Sequence, residues 1–321
     1  MKTFFHPAQR LHHPRSYLSR GQMREPQEIP QRIDPLLAVV EQLGYPLLEP
    51  ADHGQAPLAA VHSPAYLDYL SSAYQQWHEV PEDWGDEVMS NIYIREGNPL
   101  RGILGKTARY LADGSCPIGR HTWQAAYWSA QSAVAAAHAI IEGDQAAYAL
   151  CRPPGHHARA EGAGGFCFLN NAAIAAQVLR GKFARVAVLD TDMHHGQGIQ
   201  EIRRLAHGRR RQARRRGEQT VFHMAIGVNQ HHKRAIGRQA DKFDMLDRRF
   251  LLGRKNKACG TGDARQGCAH LIQQGRDIAI IAVHRGFNLG TILIVDCADL
   301  HKPIHKHPQA KLGGDTASGD M

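Results

Sequence analysis

Residues 183–189, FARVAVL, form an unbroken apolar run that ends on Asp190. A run this short, continuous rather than alternating, reads as a strand covered on both faces. A second run of this kind, Ala146–Cys151, is stopped by Pro153-Pro154-Gly155. Helical patterns flank it, one from Thr122 to Gly143 with Thr122 as its cap, the other over Asn171–Leu179. Strands alternating with helices predict an α/β fold, a mostly parallel sheet with helices on both faces. Ligands of such sheets bind beyond the carboxyl ends of the strands. Both apolar runs lead there into unusual motifs.

Elsewhere in the first 200 residues the punctuation is ordinary. Asp34-Pro35 predicts the cap and first position of a helix closed by Gly44, and Ser63-Pro64 opens a helix through Leu70. Glu79–Leu100 lacks periodicity, as a disordered or a functional loop would. Six cysteines are scattered with no Cys-x-x-Cys pair, which argues against a cysteine zinc site and a disulfide scaffold and suits a reducing, cytoplasmic setting. The start of the chain lacks the apolar core of a secretory signal. The most apolar stretch, Ala125–Ile141, is interrupted by Ser, Gln and His, so no membrane span is expected.

The first motif is RPPGHHA, with His156 and His157 adjacent on a stiff turn, followed by GGFCFLNNAA. The second, LDTDMHHGQG, begins at Leu189. Residues two apart on a strand share a side, so Asp190, Asp192 and His194 are expected to lean together past the strand end. A carboxylate and an imidazole spaced in this way can grip a zinc ion, with one further protein ligand leaving a position open to water. An Asp-x-Asp alone serves equally to cap a helix, and paired histidines at 12–13, 194–195 and 231–232 show how common such pairs are in this chain. The two motifs together favour a metal site. Hydrolysis of an amide there needs one group to take a proton from water and another to give one to the leaving amine. Two imidazoles, one backed by a carboxylate, suit that division.

Together the motifs resemble the zinc-dependent histone deacetylase and acetylpolyamine amidohydrolase superfamily, over about residues 1–202. FHPAQRLHHPRSYLSRGQMREPQEIPQR and PEDWGDE look more like the acetylpolyamine amidohydrolase branch. The resemblance implies an arginase/deacetylase-like fold and removal of acetyl groups from acetylated polyamines or related acetylamines. It implies that His156 and His157 are the tandem active-site histidines, with Asp190 orienting His156. Asp192 and His194 would hold Zn²⁺, for which Fe²⁺ could substitute, and Gly165 and Phe166 would line the substrate tunnel. Gln197 stands where some relatives carry an aspartate facing the second histidine. The loop at Glu82–Glu96 would narrow the mouth, help a homodimer form, or attract a cationic amine.

Near Ile202 the chain changes character. Residues 1–202 carry 16 basic and 20 acidic side chains, a net of −4, whereas 203–321 carry 23 and 10, a net of +13. All nine tyrosines and all four tryptophans precede residue 149. The family pattern also requires a second ligating aspartate and a tyrosine that polarises the acetyl carbonyl. Asp296, after the apolar run TILIV, is the candidate aspartate, although CADLHKP around it does not match the family; no tyrosine follows Tyr148. Residues 203–321 therefore read as a basic segment outside the family, out of frame or disordered, leaving the C-terminal part of the fold disrupted. Asp277–Val283 and Thr291–Val295 are its candidate strands. An alternative function is nucleic-acid binding through Arg203–Arg216, eight arginines in fourteen residues, on a catalytically dead scaffold. A two-manganese arginase-like site would require a trailing aspartate that DTDMHH lacks.

Overall fold

A computed structural model describes residues 1–94, 101–183, 185–190, 192 and 194–202, together with the backbone of three strands at 220–225, 278–284 and 290–296. The Arg203–Arg216 run and the end of the Glu82–Glu96 loop lie outside the described residues.

A seven-stranded sheet runs through the molecule. In chain order its strands are β1 (Lys2–Phe4), β4 (Leu47–Leu48), β5 (Ala146–Cys151), β6 (Arg185–Asp190), β7 (Thr220–Ala225), β8 (Ile278–His284) and β9 (Gly290–Asp296). A separate hairpin joins β2 (Tyr17–Ser19) and β3 (Gln22–Arg24). Across the sheet the order is β4-β1-β5-β9-β8-β6-β7. β1 pairs in parallel with β4 and β5, and β6 with β7 and β8. The mostly parallel α/β architecture expected from the apolar runs is therefore present. β9 alone departs from it, lying antiparallel to both β5 and β8.

That reversal corrects one expectation. Asp296 pairs with Ala279, near the start of β8, and Val295 with Ala146 at the start of β5. Asp296 thus lies at the edge of the sheet opposite to the carboxyl ends of β5 and β6. It cannot complete a site built around Asp190.

The helices are α1 (Asp34–Gln42), α2 (Ala56–Ala59), α3 (Pro64–His78), α4 (Ile103–Tyr110), α5 (Thr122–Ile141) and α6 (Asn171–Leu179). Alternation along β5 divides its side chains between two cores. Ala147, Ala149 and Cys151 pack with α5 and α6, while Leu150 packs with Phe5, Ile33 and Val40 beneath α1. Alanines dominate the α5 and α6 surfaces in the first core, so both helices approach the strands closely. Helices therefore cover both faces. A third core joins α3 and α4 to the outer side of α5 and to Phe168 and Leu169.

Local signals located the helix starts to within a residue, but one helix end was missed by eight residues. The Ser63 hydroxyl caps α3 by accepting from the Tyr66 amide at 3.3 Å. The helix continues past the expected Leu70 to His78, because Leu70, Ala73 and Trp77 extend the buried stripe. Asp34 and Thr122 are first helical residues rather than caps, preceded by Ile33 and His121. Thr122 instead accepts the Gly119 amide at 2.9 Å and meets His12 Nδ1 at 3.0 Å. Among the described residues no helix is long and apolar enough to cross a membrane.

Candidate active site

The turn after β5 carries His156 and His157; the segment after β6 carries Asp192 and His194. The parallel sheet brings these two chain ends together at one edge. The His156 and His157 rings lie 3.9 Å apart between centroids, and the His157 and His194 rings 6.0 Å apart. All five polar residues expected in the site thus converge.

His156 is 7% exposed and Asp190 1%. His156 Nδ1 lies 3.1 Å from Asp190 Oδ2, and Asp190 Oδ1 accepts the Asp192 amide at 3.1 Å. With Nδ1–H donating to the carboxylate, Nε2 of His156 keeps its lone pair. His157 Nδ1 lies 2.7 Å from Gln197 Oε1. A neutral amide offers no such charge. Burial, reinforced by the neighbouring His156, lowers the His157 pKa to about 4, so this imidazole is neutral near pH 7. The two histidines share a turn but have different supports.

Asp192 is buried and His194 exposed. Asp192 Oδ1 accepts the His194 amide at 2.7 Å and stands 3.2 Å from His194 Nδ1. Donor atoms of a tetrahedral zinc ion, bonded at 2.0–2.1 Å, stand about 3.3 Å apart. This oxygen and nitrogen match that spacing and suit zinc or ferrous iron. Among the described residues no group of three metal-binding side chains forms.

Glycines admit the close approaches the site requires. A Cβ on Gly196 would stand 2.1 Å from Asp190 Oδ2, and one on Gly198 2.2 Å from the Ala158 carbonyl oxygen. A Cβ on Gly165 would meet His157 Cδ2 at 2.3 Å. Gly164 and Cys167 exchange both backbone hydrogen bonds at 3.0 Å around Gly165 (φ 55°) and Phe166 (φ 67°). Positive φ at both central residues is what a type I′ turn demands, and it costs the phenylalanine about 1–2 kcal/mol. Gly165 thus lies against the second histidine, while the Tyr17 ring meets Phe166 edge-on at 5.2 Å.

Other supports carried weaker sequence signals. Arg152, fully buried, pairs with buried Glu28 at 3.1 Å. It also donates to the carbonyls of Gln9 at 2.6 Å, His12 at 2.5 Å and Ile29 at 3.1 Å. The two asparagines of LNNAA hold the turn from the other side. Asn170 Nδ2 donates to the Ala158 carbonyl at 2.8 Å while Oδ1 caps α6 on the Ala173 amide. Asn171 Nδ2 reaches Ser129 Oγ at 3.0 Å, and Ser129 in turn donates to the Pro153 carbonyl at 2.9 Å. An arginine before two prolines and paired asparagines at a helix start were the available signals; their partners lie more than a hundred residues away or on other elements.

The acidic loop is partly engaged. Arg15 pairs with Asp86 and donates its amide to Glu87 Oε1 at 3.0 Å, while Trp77 packs edge-on against Trp84. Glu82 and Asp83 hold Trp84 Nε1 and the Gly85 amide at 2.9 Å each.

Residues 26–214 match the family model of the histone deacetylase domain. The chain is 66% identical over 202 residues to an acetylpolyamine amidohydrolase of Burkholderia pseudomallei, a match covering 63% of this chain and 59% of that protein. It is 40% identical over 210 residues to acetylpolyamine amidohydrolase 1 of Pseudomonas aeruginosa, covering 63% and 60%. The acetylpolyamine amidohydrolase of Mycoplana ramosa is 37% identical over 206 residues, again at 63% and 60%. The crystal structure of an acetylpolyamine aminohydrolase from Burkholderia pseudomallei, soaked with iodide, superposes with a TM-score of 0.65 at 59% identity, covering 71% of this chain and 64% of that one. The chain spans about three fifths of the length of the curated relatives it matches.

Proposed function

The chain belongs to the histone deacetylase domain family, and from that membership we propose a metal-dependent amidohydrolase site that removes acetyl groups from acetylated polyamines or related small acetylamines. The observation that carries the reading is the juxtaposition of a carboxylate-backed imidazole, a second imidazole on a neutral amide, and an oxygen–nitrogen pair at metal-ligand spacing. The names of the similar proteins support the acetylamine class.

In this reading Asp192 and His194 hold zinc or ferrous iron, which when bound supplies Lewis acidity toward the acetyl carbonyl. Asp190 fixes the ring of His156 by accepting from Nδ1. Gln197 keeps the Nδ1 proton of His157, so its Nε2 lone pair faces the reacting groups. One imidazole accepts the proton of the attacking water and the other protonates the departing amine. Gly165 and Phe166 guide the acetylated chain past His157. The acidic loop acts as a negative rim for a cationic amine or as a dimer contact.

The same reading makes this chain a weak catalyst. The register of β9 is against Asp296 as the further ligand, and no tyrosine follows Tyr148. Loss of one donor to the developing oxyanion typically costs about 10²–10³ in rate. The test is acetate release from N-acetylputrescine by the purified full chain, with and without added zinc, alongside the Burkholderia relative. Expected are metal-dependent turnover at least about 100-fold slower than the relative, and its abolition in His156→Ala. Turnover untouched by chelator and by His156→Ala would defeat the proposal.

A further inference from the structure

We infer that Asp113 is the positioning residue that holds the Gly165–Phe166 turn against His157, a role that rests on reading this turn as the wall past which the acetylated chain enters. Asp113 Oδ2 accepts the Gly165 amide at 3.1 Å, and Oδ1 approaches the same amide at 3.4 Å. The carboxylate is itself held. Its Oδ1 accepts the Ser115 amide at 2.9 Å and also the Ser115 hydroxyl. A Cβ on Gly164 would stand 3.1 Å from Asp113 Oδ2, so the glycine leaves room for the carboxylate to reach the turn.

The flanking backbone shows why this contact decides the conformation of the turn. Ala163 is tied to the preceding strand-like segment, donating to the Tyr110 carbonyl at 2.8 Å and accepting the Ala112 amide at 2.7 Å. That bridge secures the approach to the turn but not its tip. At the tip Phe166 sits in the left-handed region, and an L residue stays there only when its surroundings over-determine it. Beyond the Gly164–Cys167 pair and the Cys167 thiol, which donates to the Gly165 carbonyl at 3.4 Å, the Asp113–Gly165 bond and the Tyr17 ring support it from two distant segments. Both belong to one strut, because Leu18 donates its amide to the Gly114 carbonyl at 2.9 Å and packs where a Cβ on Gly114 would intrude. Removing the carboxylate leaves the Gly165 amide to water and lets the turn relax away from His157. Asp113 contacts the turn at the Gly165 backbone amide, so it acts through Gly165 and Phe166.

The experiment compares the full chain with Asp113→Ala and Asp113→Asn by three measurements: amide exchange of the peptide covering 163–168, the Kd of N-acetylputrescine, and the melting temperature. Asp113→Ala is expected to speed exchange of that peptide about tenfold or more, since a charge-assisted bond to a backbone amide is lost. It should weaken N-acetylputrescine binding about fivefold while peptides of α5 and β5 exchange at the parent rate. Asp113→Asn retains an acceptor and should stay within about threefold of the parent in both. Unchanged exchange at 163–168 in Asp113→Ala overturns the proposal. So does an increase spread over the whole chain with a lowered melting temperature, which would make Asp113 a general stabiliser. If the parent chain itself fails to bind N-acetylputrescine, the acetylamine reading falls, while the exchange measurement still decides the role of Asp113.

Discussion

Replacing Arg152 by alanine is expected to damage the fold more than replacing either His156 or His157. Its guanidinium and the Glu28 carboxylate are both fully buried, 3.1 Å apart, and carbonyls from three further residues accept from the same side chain. Removing one member of a buried ion pair typically costs about 3–5 kcal/mol, because the other charge stays in a low-dielectric interior. Domains of ordinary size are stable by only about 5–15 kcal/mol, so this single change takes from about a fifth to all of the total. The losses at the carbonyls are not added separately, since all arise from one desolvated group. Urea unfolding of the full chain, followed by near-ultraviolet circular dichroism, measures the shift in midpoint. The double change Arg152→Met with Glu28→Leu supplies the control. With both charges gone it should recover at least about half of the loss, as apolar replacements of buried pairs do. An Arg152→Ala chain within about 1 kcal/mol of the parent, or a double variant no better than the single one, would refute the reasoning.

Four further outcomes are expected. Burial lowers the His62 pKa to about 4, only partly offset by the Arg159 and Ala160 carbonyls, and its Nε2 accepts the Asn170 amide at 2.9 Å. The folded state therefore resists a proton that the unfolded chain binds below about pH 6.5, so this residue's contribution holds above that pH and falls by about 3 kcal/mol toward pH 4. His62→Gln should flatten that part of the urea midpoint profile, and an unchanged profile would count against it. Gly196→Ala should separate Asp190 from His156 and shift the imidazole resonances of His156 in a histidine NMR titration; identical spectra would show that the backbone gives way instead. Asp192→Ala and His194→Ala should each weaken zinc binding at least about tenfold by calorimetry, and equal affinity in all three chains would place the ion elsewhere. Translating the other two frames downstream of the codon for Glu201 should yield an aspartate after an apolar strand and a Gly-Gly-Tyr-like element. Absence of both from both frames would leave residues 203–321 as a true replacement segment.

Much of the site was readable in the chain because its signals are local. Ala146–Cys151 and Asn171–Leu179 form the expected strand and helix with the expected bounds, since their apolar continuity and their punctuation agree. The hairpin β2–β3, with exposed β3, and α4, eight residues opened by an uncapped Gly102, gave no comparable signal. β1 holds three residues and exists by pairing with β4 and β5.

By itself the sequence determined which residues could act: two imidazoles on a proline-stiffened turn and an alternating Asp-x-Asp-x-His past a buried strand. Those choices follow from periodicity and sterics over a few residues. Only the tertiary structure decided that Glu28 and the carbonyls of Gln9 and His12 enclose Arg152, that Asp113 reaches Gly165, and that β9 runs backward and carries Asp296 away from the site. Partners brought together from distant elements, and the direction of a strand within a sheet, are settled by packing and hydrogen-bond pairing across the whole molecule, which no short window of residues contains.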